Sequence, residues 1–133
     1  MAGRSMRSMA SERELQAMAV LWDSGSGTVA EVRAALNDLY DPDVAYTTVL
    51  TMLRSLRAKG WVRVEEEGKA HRFIPTVPRE AAQSDSLHRL TQVLYGGSRE
   101  LLLTQLVSDR GLRPAELRRL RDLLDQRLKR RNP

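Results

Sequence analysis

Three short stretches of helical periodicity, a change to two-residue alternation after Gly60 and a leucine-rich helical remainder predict a mainly α chain with one small β hairpin. The helical stretches lie within 11–59, the hairpin within 61–74 and the remainder beyond Pro78. A chain of 133 residues holds a compact head with a helical extension, but not two large domains.

Ser11 and Glu14 have the S-x-x-E spacing that satisfies the free amides of a helix start, so a helix is expected to begin there. Leu15, Met18, Ala19 and Trp22 follow at i, i+3, i+4 and i+7 as its apolar stripe, which ends in the polar turn Asp23-Ser24-Gly25-Ser26-Gly27. Thr28 and Glu31 repeat the capping pattern and open a second helix with Val29, Val32, Leu36 and Leu39 inward. Asp41-Pro42-Asp43 stops it. A third helix is expected over 45–59, with Val49, Leu53 and Leu56 as its stripe, Met52 beside them and Gly60 supplying the left-handed residue after its end. Trp61-Val62-Arg63-Val64-Glu65 and His71-Arg72-Phe73-Ile74 then alternate as strands around Gly68. Three helices and a hairpin in this order form a winged helix-turn-helix, in which the third helix enters the major groove and the hairpin is the wing.

Beyond Pro78 the spacing of Leu87, Leu90 and Leu94 predicts a helix broken at Tyr95-Gly96-Gly97. A second helix from Ser98 carries Leu101, Leu102, Leu103, Leu106 and Val107, and a third from Pro114 carries Leu117, Leu120, Leu124 and Leu128. Segments this short cannot bury that much leucine among themselves, so a partner chain is expected to cover it. The division expected is therefore a disordered leader over 1–10, a winged-helix head over 11–77 and a helical dimerisation region over 78–133.

Composition excludes several alternatives. Without cysteine there is no disulfide, thiolate metal site or cysteine nucleophile. His71 and His88 lack metal-ligand spacing, and no catalytic triad, phosphate-cradling glycine loop or carboxylate pair emerges, so neither an enzyme nor a cofactor is expected. Nothing in the chain reads as a signal peptide or a membrane span, which places it in the cytoplasm without a membrane partner. The net charge is +5, yet ten basic and ten acidic residues precede Pro78 while twelve and seven follow it, so local arrangement must identify a polyanion surface.

The third helix supplies that arrangement. Opposite its apolar stripe stand Thr47, Thr48, Thr51, Arg54 and Ser55, types that bond to base edges and phosphates, and no acidic residue falls within 45–60. Lys69, His71 and Arg72 of the wing are expected to grip the DNA backbone, whereas Glu65-Glu66-Glu67 is expected to limit the approach of that end. The basic tail at Arg127, Lys129, Arg130 and Arg131 suits the carboxyl end of a helix. Winged helices also serve as protein-docking modules, a use the acidic run would suit; salt-dependent DNA binding separates the two.

Glu14-Leu15 through Leu21-Trp22, Thr28-Val29-Ala30-Glu31-Val32, Ala45-Tyr46-Thr47-Thr48-Val49-Leu50-Thr51-Met52-Leu53 with Lys59-Gly60, and Leu94-Tyr95-Gly96-Gly97 resemble penicillinase repressors of the BlaI/MecI/CopY family. The likeness spans 11–128. It implies a transcriptional repressor acting as a homodimer on an inverted-repeat DNA operator, and it adds Tyr46 to the DNA-binding residues. The dimer surface it implies includes Leu94, Tyr95, Leu102, Leu103, Leu106, Leu117, Leu120 and Leu124. Two-fold symmetry would set half-site centres about 34 Å apart or a multiple of that. Copper-responsive members release DNA through a C-terminal cysteine cluster, which is absent here. Antibiotic-responsive members are cleaved by a regulatory protease after the Tyr-Gly-Gly motif, at a bond corresponding to Gln105–Leu106 in this chain.

Overall fold

The computed structural model describes residues 8–131, which form six helices and three strands. The order is α1 (Glu12–Ser24), β1 (Gly27–Thr28), α2 (Val29–Leu39), α3 (Tyr46–Ala58), β2 (Val62–Glu67), β3 (Ala70–Pro75), α4 (Arg79–Leu94), α5 (Arg99–Ser108) and α6 (Pro114–Arg131). This is a winged helix-turn-helix head followed by helices. The chain divides between Ser86 and Leu87, inside α4, into two compact units.

In the first unit both expected capping boxes form: Ser11 with Glu14 starts α1, and Thr28 with Glu31 starts α2. The core joins Met18 and Leu21 of α1, Val32 and Leu36 of α2, Val49, Leu53 and Leu56 of α3, and Trp61 and Phe73 from the sheet region. Each such fully buried side chain contributes about 1.5–3 kcal/mol relative to exposure.

Two apolar stripes differ from the expectation. On α1 the buried face is Glu14, Ala17, Met18, Val20 and Leu21, with Leu15 and Trp22 only packed against its margin. Trp22 stays at the boundary because its indole N–H donates to the Val77 carbonyl at 2.8 Å, and the Arg79 guanidinium lies 5.6 Å from the ring centroid. Leu39, expected inward, is 61% exposed at the last position of α2.

The hairpin has a third neighbour, since β1 pairs antiparallel with β3 through Gly27 opposite Phe73 and Thr28 opposite Arg72, giving the order β1-β3-β2. Two residues are too few to leave a period in the sequence. The wing turns on Gly68, whose φ of +62° is followed by a non-glycine residue at negative φ, the sign pattern of a type II′ hairpin turn.

Of the leader expected over 1–10, residues 1–7 lie outside the described residues. The Ser8 carbonyl accepts from the Trp61 indole N–H at 2.9 Å, and Ala10 packs partly buried against the core.

Candidate nucleic-acid interface

Side-chain hydrogen bonds help to hold the turn from α2 to α3. Arg33 Nε donates to the Val44 carbonyl at 3.1 Å, and the Asp43 amide donates to the Asp41 carboxylate at 3.0 Å. Unlike α1 and α2, α3 begins at Ala45 without a side-chain cap, so its first-turn amides have no side-chain acceptor.

Burying Val49, Met52, Leu53 and Leu56 fixes the rotation of α3. The side diametrically opposite is a ridge of Thr47, Thr51 and Arg54, all exposed. The Thr51 hydroxyl donates to the Thr47 carbonyl at 2.9 Å, leaving its methyl group and an oxygen lone pair for an outside partner.

Thr48 and Ser55, expected on the same strip, are half-buried on the flank of the ridge. The physical reason at Ser55 is a hydrogen bond between its hydroxyl and Glu14 of α1. Glu14 is 5% exposed and also accepts from Lys59 Nζ at 2.7 Å and from the Ser11 amide at 2.7 Å. Burial by itself would raise the Glu14 pKa, but Lys59, the Ser11 amide and Ser55 together hold it down to about 2. Lys59 is therefore committed to α1.

The other flank of α3 borders a crevice closed by the start of α2 and by β3. Tyr46, Arg54, Lys69 and His71, four of the DNA-binding candidates named from the sequence, line it together with Arg57, over a floor containing Val29, Leu50 and Phe73. From the sequence Arg57 counted only among the cations of an acid-free third helix, with Arg54 and Lys59, and not among the DNA-contacting residues, although helical geometry puts it on the flank of Tyr46 and Leu50, at 3.6-residue spacing.

Arg72 does not join this group. The two-residue period of β3 sets it on the opposite face from His71 and Phe73. There its guanidinium donates to Glu67 at 2.7 Å, Glu31 at 3.0 Å and Ser26 at 3.2 Å, tying the wing to the start of α2. Glu67, then Glu31, pushes the Arg72 pKa further up, while the Thr28 amide and Arg72 hold the Glu31 carboxyl below its usual range.

The acidic run is likewise divided by the pleat. Glu65 pairs with Arg63 at 2.6 Å and Glu67 with Arg72, both on the face away from the crevice, while Glu66 stands opposite His71 in the ladder. The three carboxylates do not form one patch.

In the second unit only Thr91 and Leu102 are buried among the described residues. Leu94, Leu103, Leu106, Leu117 and Leu124 are exposed, Leu120 and Tyr95 are half-buried, and Leu102 is already covered within its own chain. The Tyr95 hydroxyl donates to the Gln105 side-chain oxygen at 2.9 Å. Gln105 and Leu106 both lie inside α5, where the Gln105 carbonyl accepts from the Asp109 amide at 3.1 Å. Among the described residues no helix is long and apolar enough to cross a membrane.

The sequence profile of the penicillinase repressor family matches residues 10–126. An uncharacterized 16.5 kDa protein of Latilactobacillus sakei, from the ptsI 3′ region, is 26% identical over 113 residues, covering 84% of this chain and 75% of that protein. The solution structure of the DNA-binding domain of the repressor BlaI superposes with a TM-score of 0.50 at 26% identity, covering 59% of this chain and 92% of that domain. With the helix-turn-helix, its outward Thr-Arg ridge and the wing in place, the chain belongs to the penicillinase repressor family, a family of DNA-binding transcriptional repressors and not of enzymes.

Proposed function

We propose that this chain represses transcription as a homodimer on an inverted-repeat operator, each head laying α3 in a major groove. The observation that carries the reading is the exposed ridge of Thr47, Thr51 and Arg54, set by the buried face of α3 and flanked by a wing. Thr can contact a thymine methyl or accept from a base amino group, and Arg is suited to guanine. The uncapped amides at the start of α3 suit the adjoining phosphates.

The exposed leucines of the second unit support the dimer. On α5, Leu101, Leu103, Leu106 and Val107 are exposed, spread over more than one side of the helix, and exposed apolar surface of this extent calls for cover. On α6, Leu117, Leu120, Leu124 and Leu128 form one stripe with little of it buried. A second copy of the same surface satisfies both and supplies the two-fold axis that an inverted repeat requires.

Selection of random duplexes by the purified protein tests the reading: an inverted repeat bound by two chains is expected, and no enrichment at low salt would refute it. On the selected duplex, Thr51→Ala is expected to cost about 1–3 kcal/mol at one base pair and to relax preference there. Equal losses on every sequence would make Thr51 a positioning residue instead.

Release by a regulatory protease at Gln105–Leu106 completes the proposal. Nicking is favoured at exposed, locally open backbone, so α5 must unwind at its carboxyl end before that bond can be cut. Mass spectrometry of the chain from induced cells is expected to show two fragments meeting at this bond; an intact chain at full derepression rules the route out.

A further inference from the structure

We infer that the crevice between α3 and the wing seats one phosphate of the DNA backbone, held by Arg54, Arg57 and Lys69. The inference deepens the DNA-binding reading above and rests on it.

The pattern of ion pairing in the first unit carries it. Among its described residues, Arg13 pairs with Asp41, Lys59 with Glu14, Arg63 with Glu65, Arg72 with Glu31 and Glu67, and Arg79 with Asp23. Arg33 donates to the Val44 carbonyl. The remaining cations are Arg54, Arg57 and Lys69, for which no carboxylate partner is found, and all three line the same crevice. No acidic residue lines it with them, and the Tyr46 phenol and His71 add polar groups at its wall.

Like charges gathered from a helix and a hairpin repel unless an anion lies between them. Elsewhere in the unit the chain's own carboxylates, or for Arg33 a carbonyl, meet the cations; here neither does. The arrangement therefore suits an anion from outside. A phosphodiester is favoured over a free anion because the crevice opens beside the Thr47, Thr51 and Arg54 ridge. A helix seated in the major groove has the groove's sugar-phosphate wall along its flank. Arg57 and Lys69 then contribute affinity without sequence information, while Arg54 stands where ridge and crevice meet.

The test compares the full-length protein with Arg57→Gln and Lys69→Gln on the selected duplex. Each variant is expected to lower the slope of log K against log salt by about 0.9, the value for one phosphate contact, with base preference unchanged. Neutral methylphosphonates placed one at a time should reveal a phosphate in each half-site whose replacement weakens the wild type but does not weaken Arg57→Gln further. Unchanged slopes in both variants, with the wild type still binding the selected duplex, overturn the seat and leave the DNA-binding reading intact. A changed base preference would make these residues base readers and also overturn it. Saturable binding of inorganic phosphate to the DNA-free protein, displacing DNA at constant ionic strength, would assign the crevice to a small anion instead. Absence of DNA binding by the wild type would remove both readings together.

Discussion

Replacing Leu124 with glutamate is expected to convert the proposed dimer to a folded monomer and to weaken operator binding by about 10²- to 10⁴-fold. Leu124 is 50% exposed in the single chain, so a carboxylate there meets water in the monomer and costs the fold little. In a dimer that buries the α6 stripe, the same carboxylate must lose its hydration without a partner, which disfavours association strongly. The affinity loss has a separate origin. Two linked heads bind the second half-site at a high effective concentration, whereas detached heads must each bind alone. Sedimentation equilibrium should give a single-chain mass for Leu124→Glu at concentrations where the wild type has twice that mass, with an unchanged circular dichroism spectrum. Retention of the double mass and of operator affinity would show that α6 does not form the dimer surface.

The second large effect concerns Glu14. Its pKa falls from 4.5 to about 2 on folding, because Lys59, the Ser11 amide and the Ser55 hydroxyl outweigh the opposing effect of burial. A carboxyl depressed in the folded state stabilises that state above its unfolded pKa. The stabilisation, roughly 3 kcal/mol in size, is lost as pH falls from about 4.5 toward 2. Glu31 and Glu116 are also held below the usual range, so acid sensitivity will not vanish with Glu14. The informative quantity is the difference between wild type and Glu14→Gln. Urea unfolding at fixed protein concentration should show that gap closing between pH 5.5 and 2.5, and a gap constant across that range would refute the role of the Glu14 charge. Above pH 5 the variant should be the less stable, since Lys59 then faces a neutral amide.

Much of the fold was legible because its signals are local. The capping boxes at Ser11 and Thr28 involve residues three apart, and the stripe Val49, Leu53 and Leu56 repeats with the helical period, so both were readable from the chain. Apart from Leu39, which falls at the end of α2, the readings that slipped did so through distant residues. The α1 stripe was read as Leu15, Met18, Ala19 and Trp22, of which Met18 alone is buried, and Val77, far along the chain, draws the Trp22 indole to the margin of the core. Glu14 read as a cap and nothing more, and only packing brings Lys59 to it. Strand β1 has no period of its own and exists because β3 pairs with it.

The candidate interface divides in the same way. Residue types and helical spacing suffice to place Thr47, Thr51 and Arg54 on the outside of α3, because the buried stripe dictates the opposite ridge. They also suffice for the family likeness, for the wing and for the leucine surplus of the last helices. Which cations are free to meet an anion is a different matter, since an ion pair depends on residues far apart in sequence. Tertiary structure alone commits Lys59 to Glu14 and Arg72 to Glu31 and Glu67, turns Ser55 toward α1, and gathers Arg54, Arg57 and Lys69 around one crevice. Periodicity records which face of an element is buried, whereas charge pairing records which elements meet.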